Sequence, residues 1–180
     1  MKKITFLLIA LFLVVSYVNV KAQEAGQIRG IGGLALGTKA GIDASGSKMG
    51  VGITLGADYF VTDKIAVTPS LTYFFKSSYE EEVPFLGLIS MGTQSTVIDV
   101  DGKYFFYNDA FKAYGLFGLT LGIASVEVMG ESDSGSEFGV NIGGGADYYI
   151  NDKTFINAQL KYNTPFDQIA INIGVGFNIN

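Results

Sequence analysis

The 180-residue sequence contains no histidine, no cysteine and no tryptophan, and only 3 prolines. Charge is sparse too, at 16% of residues. Each shortage excludes something. Without His or Cys there is no zinc site of the usual nitrogen and sulfur kind, no thiol redox chemistry, no disulfide framework and no lipidated N-terminal cysteine. Hydrolases that depend on a histidine base are excluded as well. A net charge of −5 offers no basic surplus, so no nucleic-acid partner is expected. What the chain has in quantity is glycine, 24 residues, together with 14 Phe and 10 Tyr.

The N-terminus reads as a targeting segment. Lys2 and Lys3 precede the apolar run Ile4 to Val15, and Val20-Lys21-Ala22 supplies a small-residue cleavage site. Cleavage after Ala22 would leave Gln23 first. The alternative is an uncut anchor, since Ile4 to Val20 approaches spanning length; the short apolar run and the cut site favour a signal peptide. Removing residues 1–22 takes away Lys2, Lys3 and Lys21, which moves the net charge from −5 to −8. Residues 23–180 then form one domain.

No stretch after residue 22 sustains a helical period. Period-2 alternation recurs instead, which is the pattern of strands with two unlike faces. Eight strands are expected, at 26–37, 49–61, 65–76, 95–107, 111–124, 137–150, 154–163 and 168–179. The last is the clearest: Ile169, Ile171, Ile173, Val175, Phe177 and Ile179 fall on one face, and Ala170, Asn172, Gly174, Gly176 and Asn178 on the other. A repeat supports the division. Gly56-Ala57-Asp58-Tyr59-Phe60-Val61-Thr62-Asp63-Lys64 recurs as Gly145-Ala146-Asp147-Tyr148-Tyr149-Ile150-Asn151-Asp152-Lys153. Each copy reads as a strand, a tight turn and the next strand.

Connections alternate in length. Tight turns are expected at 62–64, 108–110 and 151–153, and long loops at 38–48, 77–94 and 125–136, with a short final connection at Thr164 to Asp167. Short turns at one end and long loops at the other are the habit of transmembrane barrels. Three features place the apolar face in lipid rather than in a soluble core. The polar face is crowded with glycine, as a narrow lumen requires. Its charges roughly balance: Arg29, Lys76, Lys103, Lys112 and Lys161 stand against Asp58, Asp99, Asp101, Glu137 and Asp147, and buried charges must be paired. Arg29 with Asp58, and Lys112 with Asp147, are the expected neighbours. The apolar face also carries aromatics at two levels, with Tyr59, Tyr104, Phe106, Tyr148 and Phe177 at the turn end and Tyr73, Phe75, Phe138 and Tyr162 at the loop end. Ten steps from Phe138 to Tyr148 cover roughly 34 Å of strand, or about 26 Å after tilt, which suits an apolar band of about 25 Å.

This pattern, with the hairpin Lys103-Tyr104-Phe105-Phe106-Tyr107-Asn108-Asp109-Ala110-Phe111-Lys112-Ala113-Tyr114-Gly115 and the apolar last strand, resembles the small outer-membrane β-barrel proteins of the OmpA/OmpX type. The resemblance implies an all-β fold, an eight-stranded antiparallel up-and-down transmembrane barrel in a Gram-negative outer membrane, with membrane lipid and the barrel-assembly machinery as partners. Family members often end on an aromatic residue; here Phe177 is followed by Asn178-Ile179-Asn180. Larger relatives append a peptidoglycan-binding domain, which a chain stopping at Asn180 does not imply.

Little chemistry is expected. Asp99 and Asp101 share a face, but acid–base catalysis needs a shifted pKa and a substrate cleft, and a lumen charge pair offset by Lys103 and its neighbours is the simpler reading. Glu80-Glu81-Glu82 and Glu131-Ser132-Asp133-Ser134 lack the spacing of a calcium loop. No catalytic residue, cofactor or metal ligand is therefore expected, and the protein is read as non-enzymatic. Phe60, Phe105, Tyr114 and Tyr149 on the lumen side oppose porin-like conductance. The loops remain as a working surface. In 77–94 an acidic run precedes Val83-Pro84-Phe85-Leu86-Gly87-Leu88-Ile89. Either these residues contact a surface partner, through Phe85, Leu86, Leu88 and Ile89, or they extend the strands and tuck over the mouth. The competing function is a soluble periplasmic or secreted lipocalin-like barrel that binds a small apolar ligand.

Overall fold

The computed structural model describes residues 25–43, 46–83, 87–106 and 111–179. The expected signal peptide, the turn at 108–110 and the pair Phe85 and Leu86 lie outside them. Eight strands run in order: β1 Ile28–Asp43, β2 Gly46–Phe60, β3 Ile65–Val83, β4 Gly87–Phe105, β5 Phe111–Val128, β6 Glu131–Tyr149, β7 Thr154–Asn163 and β8 Gln168–Asn178. Each pairs antiparallel with the next, and β8 pairs with β1 to close a barrel. Closure satisfies the ladder groups that an open sheet would leave bare in lipid.

The faces follow the alternation. Leu34, Ile53, Leu71, Phe117, Ile142 and Ile173 point outward and are exposed. Both aromatic levels lie on this outer face, with Tyr104, Phe106, Tyr148 and Phe177 exposed at one end and Tyr73, Phe75, Phe138 and Tyr162 at the other. The inner face is polar and filled. A soluble lipocalin-like barrel would have these faces reversed, so that alternative is overturned.

The repeat is a repeat of structure. In the β2–β3 turn, Thr62 Oγ1 accepts from the amides of Lys64 (3.2 Å) and Ile65 (3.0 Å). In the β6–β7 turn, Asn151 Oδ1 accepts from Lys153 (3.0 Å) and Thr154 (2.9 Å). A hydroxyl or amide oxygen at the same position thus holds the same turn. Replacing Thr62 or Asn151 with alanine should cost about 0.5–1.5 kcal/mol each, read as a lower urea midpoint of the lipid-embedded barrel. No change in either would show that the turn is held by the strands alone.

Pro69 stands inside β3. It keeps its partner Val100 on β4, but the β2–β3 ladder skips from Ser70 to Val67, because proline has no N–H to give. The Thr68 hydroxyl bridges the gap by donating to Asp58 Oδ1 at 2.7 Å.

The expected long loops are corrected. Of 38–48, 77–94 and 125–136, nearly all described residues are strand. β3 and β4 stay paired to Val83↔Gly87, and β5 and β6 to Val128↔Glu131, where Met129 (φ 52°) and Gly130 (φ 87°) make the turn. Meanwhile β2–β3 pairing ends at Gly52↔Phe74 and β6–β7 pairing at Asn141↔Asn163. Four strands therefore continue past the rim as an open sheet. From Phe74 to Val83 this is roughly 30 Å of strand at about 3.3 Å per residue.

Candidate functional site

Two regions qualify as sites: the lumen and the sheet beyond the rim. The lumen is organised around Arg29, which is fully buried. Its guanidinium touches Asp58 Oδ2 at 2.5 Å and Asp147 Oδ2 at 2.9 Å, and donates to the Tyr149 hydroxyl at 3.0 Å. Phe60, Phe105 and Phe155 surround it, with ring centres 4.8, 5.3 and 4.5 Å from its central carbon. An aromatic sleeve around a desolvated cation adds cation–π attraction to the ion pairs. Lys103 Nζ reaches the other oxygen of Asp58 at 2.9 Å and lies over the Tyr114 ring. Asn157 Nδ2 donates to Asp147 Oδ1 at 2.6 Å and to the Tyr114 hydroxyl at 2.8 Å.

One layer further up, Lys161 Nζ sits 2.5 Å from Asp99 Oδ2 and 3.3 Å from Asp101 Oδ2. Asn141 Nδ2 donates to Asp99 Oδ1 at 3.0 Å. The two aspartates are thus bridged by one ammonium, that of Lys161, while Lys103 turns to Asp58. Between the layers lies a cavity of about 30 Å³, lined by Thr54, Thr68, Asp101, Lys103, Gln159 and Asn172 among others. That suits a water molecule and is far below the roughly 300–1,000 Å³ of a small-molecule pocket.

Apolar groups close both ends. Phe60, Ala66, Phe105, Tyr114 and Leu116 pack at the turn end. At the mouth, Phe166 folds in from the short β7–β8 connection against Ala35, Ala40, Phe74 and Val97. Lumen glycines are there for close approach: a Cβ on Gly176 would enter the Phe155 ring, and one on Gly145 the Tyr114 ring. Outside the span, Asp167 accepts from Lys39 at 2.5 Å and from the Tyr162 hydroxyl at 2.8 Å. These two bonds hold its carboxyl below the ordinary carboxylate range.

Of the ten charges expected in the lumen, seven are buried there: Arg29, Lys103, Lys161, Asp58, Asp99, Asp101 and Asp147. An eighth, Lys112, is half-buried at the turn end, and two are corrected. Lys112 is the backbone partner of Asp147, yet the Asp147 carboxylate is taken by Arg29 from across the barrel, and Lys112 lies over the Tyr149 ring at 5.0 Å. Lys76 and Glu137 stand beyond the rim and are exposed. Phe155, Phe74 and Asn157 belong to the plug and were not singled out in sequence, although the alternation of β3 and β7 places them inward.

The second region is the protruding sheet. Lys76 of β3 crosses Gly92 of β4 to meet Glu127 of β5 at 2.8 Å; a Cβ on Gly92 would stand 2.8 Å from Lys76 Cε. One side chain thereby ties three strands. Ile89 lies in this sheet, whereas Phe85 and Leu86 lie outside the described residues.

A closed barrel with an apolar, aromatic-banded exterior and a polar filled interior is the architecture of a bacterial outer membrane. The family model for the outer membrane protein beta-barrel domain matches residues 7–179. The chain belongs to this family. Its barrel is similar to Ail, the attachment invasion locus protein of Yersinia pestis, solved in complex with the heparin analogue sucrose octasulfate: identity is 22%, coverage 85% of this chain and 99% of Ail, and TM-score 0.61. It is also similar to the N-terminal barrel domain of Pseudomonas aeruginosa OprF (18% identity, 84% and 97% coverage, TM-score 0.60). OprG of the same organism matches at 17% identity over 87% and 97% of the two chains, with TM-score 0.61. At these identities the three solved structures establish the fold. Comparison with curated protein sequences gives no match. The outer-membrane barrel is a Gram-negative outer-membrane protein in a lipid environment.

Proposed function

We propose that this barrel is a non-enzymatic outer-membrane protein with a plugged lumen, whose working surface is the β3–β6 sheet beyond the rim. The observation that carries the reading is that sheet. Four paired strands extend into water where a minimal barrel would turn back at the rim, and function is commonly placed on such projections from a rigid scaffold. The β3 and β6 edges of the sheet leave ladder groups available for strand addition. The plugged lumen is supported by the ion pairs of Arg29, Lys103 and Lys161 and by the aromatic closures at both ends. Asp99 and Asp101 are held by Lys161 beside a water-sized cavity, an arrangement without room for a substrate. Export through a signal peptide at residues 1–22 and folding by the barrel-assembly machinery complete the proposal.

In Ail the same fold carries a polysulfated ligand; here the exposed sheet is acidic, so the ligand class differs. The test is to trim the sheet. Residues 79–91 and 126–133 are each replaced with an Asn-Gly turn, which joins Ser78 to Gly92 and Ser125 to Ser134 in the existing register. The trimmed barrel should keep its heat-dependent gel shift and show no new conductance in planar bilayers. Adhesion of cells displaying it should fall several-fold. Unchanged adhesion by cells displaying a folded, trimmed barrel would reject the sheet as the working surface.

A further inference from the structure

The register sorts the protruding sheet into two unlike faces. Residues paired across antiparallel strands point to the same side. One row runs Tyr79↔Met91↔Val128↔Glu131 and the next Ser77↔Thr93↔Val126↔Asp133. Below them, Val97↔Gly122↔Glu137 lies on the same side, and Val97 is buried in the lumen closure under Phe166. This face is therefore the continuation of the barrel's inner wall above the mouth, and at its β3 margin the Ser77 hydroxyl bonds the backbone of Ile42 on β1. Glu81↔Ile89 extends it upward. The opposite face carries Lys76, Ser78, Glu80, Ser90, Glu127 and Ser132.

Among the described residues the inner face has an apolar stripe that stays partly open to water. Val126 is 46% and Val128 41% exposed, with Tyr79, Ile89 and Met91 beside them. Acidic residues border it on both sides, with Glu81 on β3 and Glu131, Asp133 and Glu137 on β6. Across 76–94 and 122–137 the sequence holds seven carboxylates and a single cation, Lys76; that cation sits on the other face and is already committed to Glu127. A hydrophobic strip between two acidic margins, with no basic residue on the face, is complementary to one class of polypeptide.

We propose that the inner face of the β3–β6 sheet docks a cationic amphipathic segment, with apolar side chains on Tyr79, Ile89, Met91, Val126 and Val128 and flanking lysines or arginines against Glu81, Glu131, Asp133 and Glu137. The proposal rests on the reading of this sheet as the working surface and adds the chemistry of the partner. Opposed charges at the margins steer encounter and orient the segment, while the stripe supplies burial. Polyanions such as the sucrose octasulfate with which Ail was solved are repelled.

The test uses the full barrel in phosphatidylcholine nanodiscs and a fluorescent Leu/Lys peptide with one apolar face, with empty nanodiscs as the background. The peptide should bind above background, and binding should weaken as salt rises through the range in which the Debye length shortens from about 30 Å to about 8 Å. Glu131→Lys with Asp133→Lys should weaken it at least tenfold. Val126→Ser with Val128→Ser, which leaves every charge in place, should also weaken it at least tenfold while the heat-dependent gel shift persists. Sucrose octasulfate should neither bind nor compete.

Equal affinity for the serine variant and the parent would reduce the effect to unspecific charge attraction and overturn the proposal. Binding no better than to empty nanodiscs would overturn it too, as would binding of sucrose octasulfate to the sheet. The two readings fail separately. Loss of adhesion on trimming without peptide binding leaves the working surface standing and removes the cationic partner. Peptide binding without loss of adhesion on trimming does the reverse.

Discussion

Replacing Arg29 with methionine is expected to destabilise the barrel by about 3–5 kcal/mol, the usual cost of leaving a buried charge without its partner. The loss falls unevenly on the two carboxylates. Asp58 keeps Lys103 at 2.9 Å and the Thr68 hydroxyl at 2.7 Å. Asp147 keeps the Asn157 amide and the more distant charge of Lys103, and it sits fully buried at the turn end of the lumen. Methionine retains much of the volume inside the sleeve of Phe60, Phe105 and Phe155, so packing changes little and the charge term dominates. Adding Asp147→Asn to Arg29→Met should therefore recover most of the stability, because the remaining Asp58 and Lys103 still balance. Urea titration of the lipid-embedded protein, followed by the unboiled gel band, measures both steps. A single variant as stable as the parent, or a double variant no better than the single, would show that the lumen ion pairs do not hold the barrel.

Placing arginine at Ile173 is expected to cost about 2–4 kcal/mol, since a cation near the bilayer midplane on the lipid face has no partner and no water. Ile173 is 55% exposed and lies on β8 midway between Ile169, the partner of Tyr162 at the loop-end aromatic level, and Phe177 at the turn end. Ser134→Arg on β6, beyond the rim and already in water, should stay within about 0.5 kcal/mol. The contrast between the two positions locates the membrane on the outer face. Equal tolerance at both would mean that the apolar face is not in contact with lipid.

The alternation of β8, from Ile169 to Ile179 against Ala170 to Asn178, assigns every side chain of that strand to its face from the sequence alone. The reason is that side-chain parity in a strand is a property of the chain alone. The same holds for β2, β4 and β6 within the span, where lipid on one side and a narrow lumen on the other impose opposite compositions. The turns at Thr62 and Asn151 were legible for a similar reason, since the residues that hold them are two or three positions from the amides they cap.

Beyond the rim the signal disappears. Ser77 to Glu82 and Glu131 to Ser136 read as loops because both faces of the protruding sheet meet water, and with two wet faces the period of two is largely erased from the sequence. Their strand character comes from pairing with neighbours that continue from the barrel. The lumen partners were hidden for a different reason. Adjacent strands suggested Lys112 for Asp147 and Lys103 with its neighbours for the Asp99 and Asp101 pair, and a ladder does bring Lys112 and Asp147 side by side. In a barrel of eight strands, however, the lumen is narrow enough for long side chains to reach a strand that is not adjacent. Arg29 spans from β1 to Asp147 on β6, and Lys161 from β7 to Asp99 and Asp101 on β4. The chain alone determined which residues face inward; closure of the sheet determined which of them meet, because only closure brings opposite walls within the length of a lysine or arginine.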